Sequence, residues 1–206
     1  MAFIGIKLNP EVSRLFRNID VPGKKYAESE YHITVVCFAD EWPVKEVSKA
    51  MQAAYEVIKD FQPFHIKTKK ITCFPKREDK PVPIIAEIES KEIHELNKQL
   101  KKSFDKSKVD YKKDFKDFKP HITLSYAEDE IKPTKIEPVE FHAHEVILFG
   151  GDEGDSRLFI TFPLKGTSAS KKIAHLNQSV DVYYKLANKD INAKFVQTTE
   201  RRKIAR

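Results

Sequence analysis

The chain has 206 residues, of which 40% are hydrophobic and 33% are charged, a balance that predicts one compact domain with a sizeable core and an additional segment. No apolar run reaches the ~20 residues that a membrane-spanning helix needs, and the first ten residues lack the features of a secretory signal. Two cysteines, Cys37 and Cys73, are too few for a disulfide framework or a zinc site of their own. We therefore expect a cytoplasmic protein with buried, reduced thiols.

The net charge of +6 is unevenly distributed along the chain. Residues 165–206 contain 10 Lys and Arg against 3 Asp and Glu, which leaves residues 1–164 close to neutral. A basic balance favours polyanionic partners, but here it belongs to the tail. We expect a domain over 1–164 followed by a basic tail over 165–206.

In the first half of the chain, alternating apolar residues predict strands and apolar residues at three- and four-residue spacing predict helices. The predicted elements are strands over 3–8, 31–38 and 64–75, a short helix after Asn9-Pro10 and a longer helix over 44–59. Pro75 ends the third strand, because proline cannot donate to a strand ladder. A Pro-Gly-Lys-Lys loop at 22–25 precedes the second strand.

The second half repeats this plan. Its predicted elements are strands over 83–89, 121–126, 140–150 and 157–164 and a helix over 91–104. The glycine-rich segment 148–159 lacks the lysine and the following helix of a phosphate-binding loop, so we interpret it as a hairpin connection. We predict an α+β or α/β domain of two strand–helix–strand–strand lobes that are related by a pseudo-repeat.

The most specific evidence for the repeat is a His-Ile-Thr motif that occurs once in each half, at 32–34 and at 121–123. Because alternate side chains of a strand share a face, each motif presents an imidazole beside a hydroxyl. We expect Ser125 on that polar face and Tyr126 on the opposite one. If a two-fold axis relates the lobes, the two strands lie side by side and their polar faces line one cleft.

Two imidazoles in one cleft are the minimum for concerted acid–base catalysis. One of His32 and His121 takes a proton from the nucleophile, while the other, protonated, gives one to the leaving oxygen. The hydroxyls of Thr34 and Thr123 can donate to the oxygens of a phosphate that lies between the histidines. The pattern predicts cleavage of a phosphodiester without a metal ion or other cofactor.

These motifs resemble those of the two-histidine phosphoesterase superfamily, whose best-known branch is the RNA 2′,3′-cyclic phosphodiesterase or 2′-5′ RNA ligase family. The signature is hydrophobic-His-hydrophobic-Thr/Ser-hydrophobic, here at 31–35 and 120–124. The stretch Phe-Lys-Pro-His-Ile-Thr-Leu-Ser-Tyr at 118–126 is similar to the family's second motif, and the Phe-Pro at 74–75 is similar to the end of one of its strands. The resemblance covers about residues 1–164.

The resemblance implies a LigT-like α+β fold, with two pseudo-symmetric antiparallel lobes, helices outside and a central cleft. It also implies that His32, Thr34, His121 and Thr123 are catalytic, without deciding which histidine is the acid. Known members act on 2′,3′-cyclic nucleotides, 2′-5′-linked oligoadenylates or ADP-ribose cyclic phosphate. Phage anti-CBASS members act on cyclic oligonucleotide immune signals, and this remains an alternative to an RNA-end or 2′-5′ phosphodiesterase. A non-catalytic nucleotide-binding module is the alternative of a different class.

A nucleotide substrate needs stacking surfaces and cations around the cleft. The candidates are Tyr126 and Trp42 for stacking and Lys24, Lys25 and Lys119 for phosphate. Core packing is the competing interpretation of the two aromatic residues, and a solvated surface is the competing interpretation of the lysines.

Other histidines offer weaker signals. His142 and His144 share a strand face with Glu140, but two imidazoles are too few for a catalytic zinc, and a polar surface is the simpler interpretation. We interpret His65 and His94 in the same way. In the tail, apolar residues at helical spacing between 173 and 195 predict an amphipathic helix that docks on the domain, on a second copy or on a partner. A largely disordered basic tail is the alternative.

Overall fold

The protein is described here by a computed structural model that covers residues 2–38, 44–77, 80–113, 117–150 and 158–166. These residues contain three α-helices and nine strands. The elements are β1 (Phe3–Lys7), α1 (Pro10–Arg17), β2 (Lys24–Lys25), β3 (His32–Cys37), α2 (Val44–Ile58), β4 (Phe64–Cys73), β5 (Val82–Glu89), α3 (Lys91–Ser107), β6 (His121–Ala127), β7 (Glu140–Ala143), β8 (Glu145–Gly150) and β9 (Leu158–Pro163). The predicted tail helix lies outside the described residues.

The strands form one antiparallel sheet in the order β7-β4-β5-β6-β3-β1-β8-β9, with β2 paired to β6. The two strands that carry the His-Ile-Thr motifs, β3 and β6, are neighbours at its centre, where Ile33 pairs with Ile122. Three further strands of this order lie on each side of the pair. This arrangement gives the sheet the pseudo-symmetry that the repeat predicts. The α+β fold class is therefore confirmed.

The division of the chain between the two halves of the sheet differs from the sequence prediction. β4 pairs with β5, and β8 pairs with β1, so β4 of the first sequence half and β8 of the second each lie in the opposite half of the sheet. The predicted strand over 140–150 is divided at His144 into β7 and β8, which join opposite ends of the sheet. The prediction that each consecutive half makes its own lobe is wrong, because β4 pairs with the strand that follows it in sequence.

The three helices share one apolar core with one face of the sheet. Side chains of α1, α2 and α3 lie in the same buried cluster as Ile33 and Ile122, so the neighbouring His32 and Thr34 point away from the helices. α3 begins after Ser90, whose hydroxyl accepts from the backbone N–H of Ile93. In the described residues no helix is long and apolar enough to cross a membrane.

Both cysteines are thiols that no disulfide joins. Cys37 ends β3 and Cys73 ends β4, and both side chains are half-buried. The sequence predicted full burial, but each thiol lies at a strand end, where the cover by neighbouring elements is incomplete.

One buried hydrogen bond fixes α3 against the histidine strand β3. The side-chain amide of Asn97 donates to the backbone oxygen of Val35 at 2.6 Å, and Asn97 is only 6% exposed. This bond satisfies a carbonyl that lies one residue beyond Thr34, so it helps to hold the position of β3.

We predict that Asn97→Ala lowers the free energy of unfolding by about 1–3 kcal/mol, because it leaves the buried oxygen of Val35 without its donor. Urea denaturation measures the change. Gln99→Ala is the matched control, since its amide donates to the exposed carboxylate of Glu95 and its loss should cost less than ~0.5 kcal/mol. Equal effects of the two substitutions would contradict the prediction.

Candidate active site

The register of β3 and β6 brings the two His-Ile-Thr motifs together head to tail. Continued from the pair Ile33–Ile122, the antiparallel register places His32 opposite Thr123 and Thr34 opposite His121. Each imidazole thus has the hydroxyl of the other motif as its cross-strand neighbour. All four side chains are half-buried and project from the face that the helices leave open.

Both imidazoles are oriented by the same local hydrogen bond. The Nδ1 atom of His32 lies 2.7 Å from the backbone oxygen of Glu30, and the Nδ1 atom of His121 lies 2.7 Å from the backbone oxygen of Lys119. A carbonyl oxygen only accepts, so Nδ1 carries a proton in both rings and Nε2 is left for the cleft. The repeat therefore duplicates a tautomer as well as a residue type.

Aromatic rings cover both histidines. Phe3 stacks on His32 with ring centroids 4.5 Å apart, and Phe74 meets His121 edge-on at 4.8 Å. Burial lowers the pKa of His32, against the opposing effects of its bond to the backbone of Glu30 and of the Glu30 charge. Burial also lowers the pKa of His121, although its bond to the backbone of Lys119 opposes this. The positive charges of His32 and Lys119 then lower the pKa of His121 further.

Gly5 makes room for the ring that stacks on His32. Gly5 pairs with Thr34 across β1 and β3. A Cβ atom there would lie 2.5 Å from the backbone oxygen of Ile33 and 3.0 Å from Cε2 of Phe3. Any other residue would therefore push β1 from β3 or displace the Phe3 ring.

The floor of the cleft is apolar. Ile85 pairs with Thr123, and Ile147 pairs with Gly5, so both share the histidine face of the sheet. Their side chains are 0% and 2% exposed. This floor removes water from beneath the hydroxyls and the imidazoles, which strengthens electrostatic interactions in the cleft.

A β-bulge brings Tyr126 to the cleft face. The register of β5 and β6 shifts so that Ile85 pairs with Thr123 while Ile84 pairs with Ser125. The extra residue in β6 reverses the alternation, so Ser125 is fully buried and Tyr126 is 38% exposed. The sequence predicted the opposite faces for these two residues, because strict alternation does not anticipate a bulge.

The lysines of β2 point in different directions. Lys24 pairs with Tyr126 and shares the cleft face, whereas Lys25 pairs with the buried Ser125. The ammonium of Lys25 donates to the backbone oxygen of Ile19 at 2.7 Å, immediately after α1. This bond gives Lys25 a structural role at the end of the helix and turns its charge away from the cleft.

Lys119 lies beside His121. Its Nζ atom is 3.5 Å from the carboxylate of Glu87 and 5.9 Å from the centroid of the Phe74 ring. Glu87 is the cross-strand partner of His121. The predicted role of Lys119 in binding phosphate stays a prediction, and Trp42 lies outside the described residues.

The remaining histidines of β4, β7 and the segment after it form a surface cluster. His65 pairs with His142 at a ring distance of 5.2 Å and contacts Glu140 at 3.3 Å, and His144 follows at 6.1 Å from His142. Within the parts of the chain that the structure describes, no three His, Cys, Asp or Glu side chains are arranged to hold a metal ion. His94 packs edge-on against Phe118 at 5.4 Å.

Sequence reasoning missed Phe3, Gly5, Phe74 and Glu87. Their proximity to the histidines depends on strand pairing between distant segments, which no local pattern reveals. Glu87 gave a weak signal, because it is a charged residue that alternates with apolar ones in "IIAEIE".

A sequence profile of the 2′-5′ RNA ligase superfamily matches residues 14–155. The fold is similar to that of the Thermus thermophilus protein TT0787, with a TM-score of 0.62 and 19% identity over 80% of this chain and 98% of that one. It is also similar to E. coli LigT in its apo form, with a TM-score of 0.56 and 17% identity over 80% of this chain and 96% of that one. The structure of E. coli LigT complexed with 3′-AMP is similar with a TM-score of 0.56 and 16% identity, over 80% of this chain and 97% of that one. No curated protein sequence matches the chain.

We predict that Phe3→Ala raises the pKa of His32 toward its ordinary value near 6.5, because the lost ring admits water to one face of the imidazole. An NMR titration of the imidazole C–H signals measures this. His121 lies against Phe74 instead, so its pKa should not rise in Phe3→Ala, since the charge of His32 acts to lower it. Phe74→Ala should raise the pKa of His121, because the lost ring admits water there too. An unchanged titration of His32 would show that Phe3 does not desolvate it.

Proposed function

This chain belongs to the 2′-5′ RNA ligase superfamily, and we propose that it is a metal-independent phosphodiesterase acting on nucleotides. Its substrates would carry a 2′,3′-cyclic phosphate or a 2′-5′ or 3′-5′ linkage. The observation that supports this best is the duplicated imidazole–hydroxyl pair, with both Nδ1 atoms bonded to backbone oxygens and both Nε2 atoms left for the cleft.

A phosphate between the two motifs would meet a proton acceptor on one side and a proton donor on the other. The Nε2 atom of the neutral histidine takes the proton of the attacking hydroxyl or water as its oxygen bonds to phosphorus. The Nε2–H of the protonated histidine passes its proton to the leaving oxygen as that bond breaks. The hydroxyls of Thr34 and Thr123 donate to the non-bridging oxygens, where negative charge increases in the transition state.

The electrostatics of the cleft support one shared proton. The positive charge of a protonated His32 lowers the pKa of His121, so the second protonation is less favourable than the first. The negative charge of a bound phosphate favours the first protonation of the pair. The singly protonated pair is the state in which one imidazole is a base and the other is an acid.

For substrate contacts we propose Tyr126, Lys24 and Lys119. Tyr126 presents an exposed ring on the cleft face for base stacking, and it is steadied by Tyr26, whose ring lies 5.7 Å away. Lys24 and Lys119 would contact phosphate. We leave out Lys25 because its ammonium bonds to the end of α1, and Trp42 stays a prediction. E. coli LigT has been crystallised with 3′-AMP and with ATP, which agrees with a nucleotide substrate.

We predict that His32→Ala and His121→Ala each reduce hydrolysis by about 10²–10⁴, the contribution of one acid–base group. A panel of nucleoside 2′,3′-cyclic phosphates, 2′-5′ and 3′-5′ dinucleotides and cyclic oligonucleotides, read by chromatography, measures the loss. The reaction should proceed equally in EDTA.

His65→Ala and His142→Ala are the matched controls, because they remove imidazoles from the same sheet at the surface cluster. Activity that survives both His32→Ala and His121→Ala, or that EDTA abolishes, would refute the proposal. Nucleotide that stays bound without turnover would indicate a binding module, and preference for cyclic oligonucleotides would favour the anti-CBASS alternative.

We predict a bell-shaped pH profile of kcat/KM with its maximum below pH 6.5. Catalysis needs one neutral and one protonated imidazole, and burial lowers the pKa of both histidines below 6.5. As the pH rises through these values the acid is lost, so kcat/KM should fall toward alkaline pH. Phe3→Ala should move the profile to higher pH. A rate that is constant from pH 6 to pH 9 would contradict the assignment of a histidine acid.

A further inference from the structure

Three lysines surround one carboxylate beside His121. The Nζ atoms of Lys69, Lys70 and Lys119 lie 3.9, 3.6 and 3.5 Å from the carboxylate oxygens of Glu87. We call these four residues the Glu87 cluster. The Glu87 side chain is only 15% exposed, whereas those of the lysines are 34–56% exposed.

A β-bulge creates this cluster. In the ladder of β4 and β5, Thr68 pairs with Ile88 and Lys70 pairs with Glu87, so Lys69 is the extra residue. Two consecutive residues of a regular strand point to opposite faces, but a bulge re-aims one of them. It thereby brings both ammonium groups to Glu87, and Lys119 reaches the same carboxylate from the segment before β6.

The cluster has an excess of positive charge. One carboxylate neutralises one of the three ammonium groups and leaves a local charge of about +2 at neutral pH. The distances of 3.5–3.9 Å exceed the 2.7–2.9 Å of a charge-assisted hydrogen bond, so donors of all three lysines are open to another anion. A cluster that served stability alone would gain little, because exposed ion pairs contribute about 0–1 kcal/mol.

The cluster is continuous with the histidine cleft. Glu87 is the cross-strand partner of His121, and the charge of Lys119 acts on that imidazole. A cavity of about 380 Å³ adjoins it, with Lys69, Glu87 and Lys119 in its wall beside His94 and Phe118. Lys91 and Glu89 also line this cavity, so its wall keeps an excess of lysine.

We propose that the Glu87 cluster binds a second phosphate of the substrate, next to the one that lies between His32 and His121. This inference rests on the proposed phosphodiesterase function and narrows its substrate class to oligonucleotides, or nucleotides with an additional phosphate. A lone nucleoside 2′,3′-cyclic phosphate would leave the subsite unused. Glu87 keeps the lysines together, and their free donors hold the phosphate oxygens.

The test compares substrates that differ by one phosphate. The probes are an adenylyl dinucleotide with a single internal phosphate and the same dinucleotide with an added phosphate at its 5′ end or at its 3′ end. In wild type, one of the two added phosphates should raise kcat/KM about ten- to a hundredfold, the effect of a charge-assisted hydrogen bond. The gain should come from KM and should weaken as salt is added.

In the double variant K69Q/K70Q the added phosphate should change kcat/KM about onefold, because two of the three charges are removed. Lys119→Gln removes one charge and should reduce the gain in kcat/KM only in part. Because the three lysines are partly or largely exposed, their substitution should leave the fold intact. An unchanged melting temperature of each variant checks this. Lys49→Gln is the matched control, since Lys49 is also ion-paired, with Glu46 on α2, and lies on the helical side. It should retain the full gain.

Two outcomes overturn the inference while leaving the phosphodiesterase proposal intact. One is hydrolysis that depends on His32 and His121 but whose kcat/KM is raised by neither added phosphate. The other is a gain that K69Q/K70Q preserves. If no probe is cleaved in a His32- and His121-dependent reaction, the proposed function itself fails, and the two failures are thus distinguishable.

Discussion

The pairing of Ile33 with Ile122 is the constraint on which the candidate site depends. It joins two strands that are distant in sequence and sets each histidine across from the threonine of the other motif. The two isoleucines are fully buried beneath the helices, so a slip by one residue would turn both polar sets into the core. The hydrophobic energy of the core thereby specifies the geometry of the cleft.

Burial in this cleft lowers the pKa of both imidazoles and requires a hydrogen-bond acceptor for each Nδ1–H. Phe3 and Phe74 lie against the imidazoles, and burial lowers the pKa of both histidines. The backbone oxygens of Glu30 and Lys119 satisfy Nδ1 and oppose part of that effect. Without those bonds each half-buried ring would have an unsatisfied N–H donor, which costs about 1–3 kcal/mol. The ring would also rotate more freely.

The sequence predicted the elements and the strand faces of the two motifs well, because these depend on local periodicity. Strand alternation predicted that His32 and Thr34 share a face and that Ile33 is buried. It failed wherever a bulge or a distant partner decides, as at Tyr126, which the β6 bulge turns into the cleft. The exchange of β4 and β8 between the two halves of the sheet was equally hidden, because strand partners are chosen by tertiary packing and chain connection.

The repeat duplicates the imidazole and its hydrogen bond but not the surrounding charges, and this difference gives the cleft a direction. The carboxylate of Glu30 acts to raise the pKa of His32, whereas the ammonium of Lys119 acts to lower the pKa of His121. In the proposed reaction, these opposite effects would favour His32 as the acid at the leaving oxygen and His121, beside the lysines, as the base that receives the proton of the nucleophile. A substrate whose second phosphate lies at the Glu87 cluster would bind with its attacking oxygen on that side.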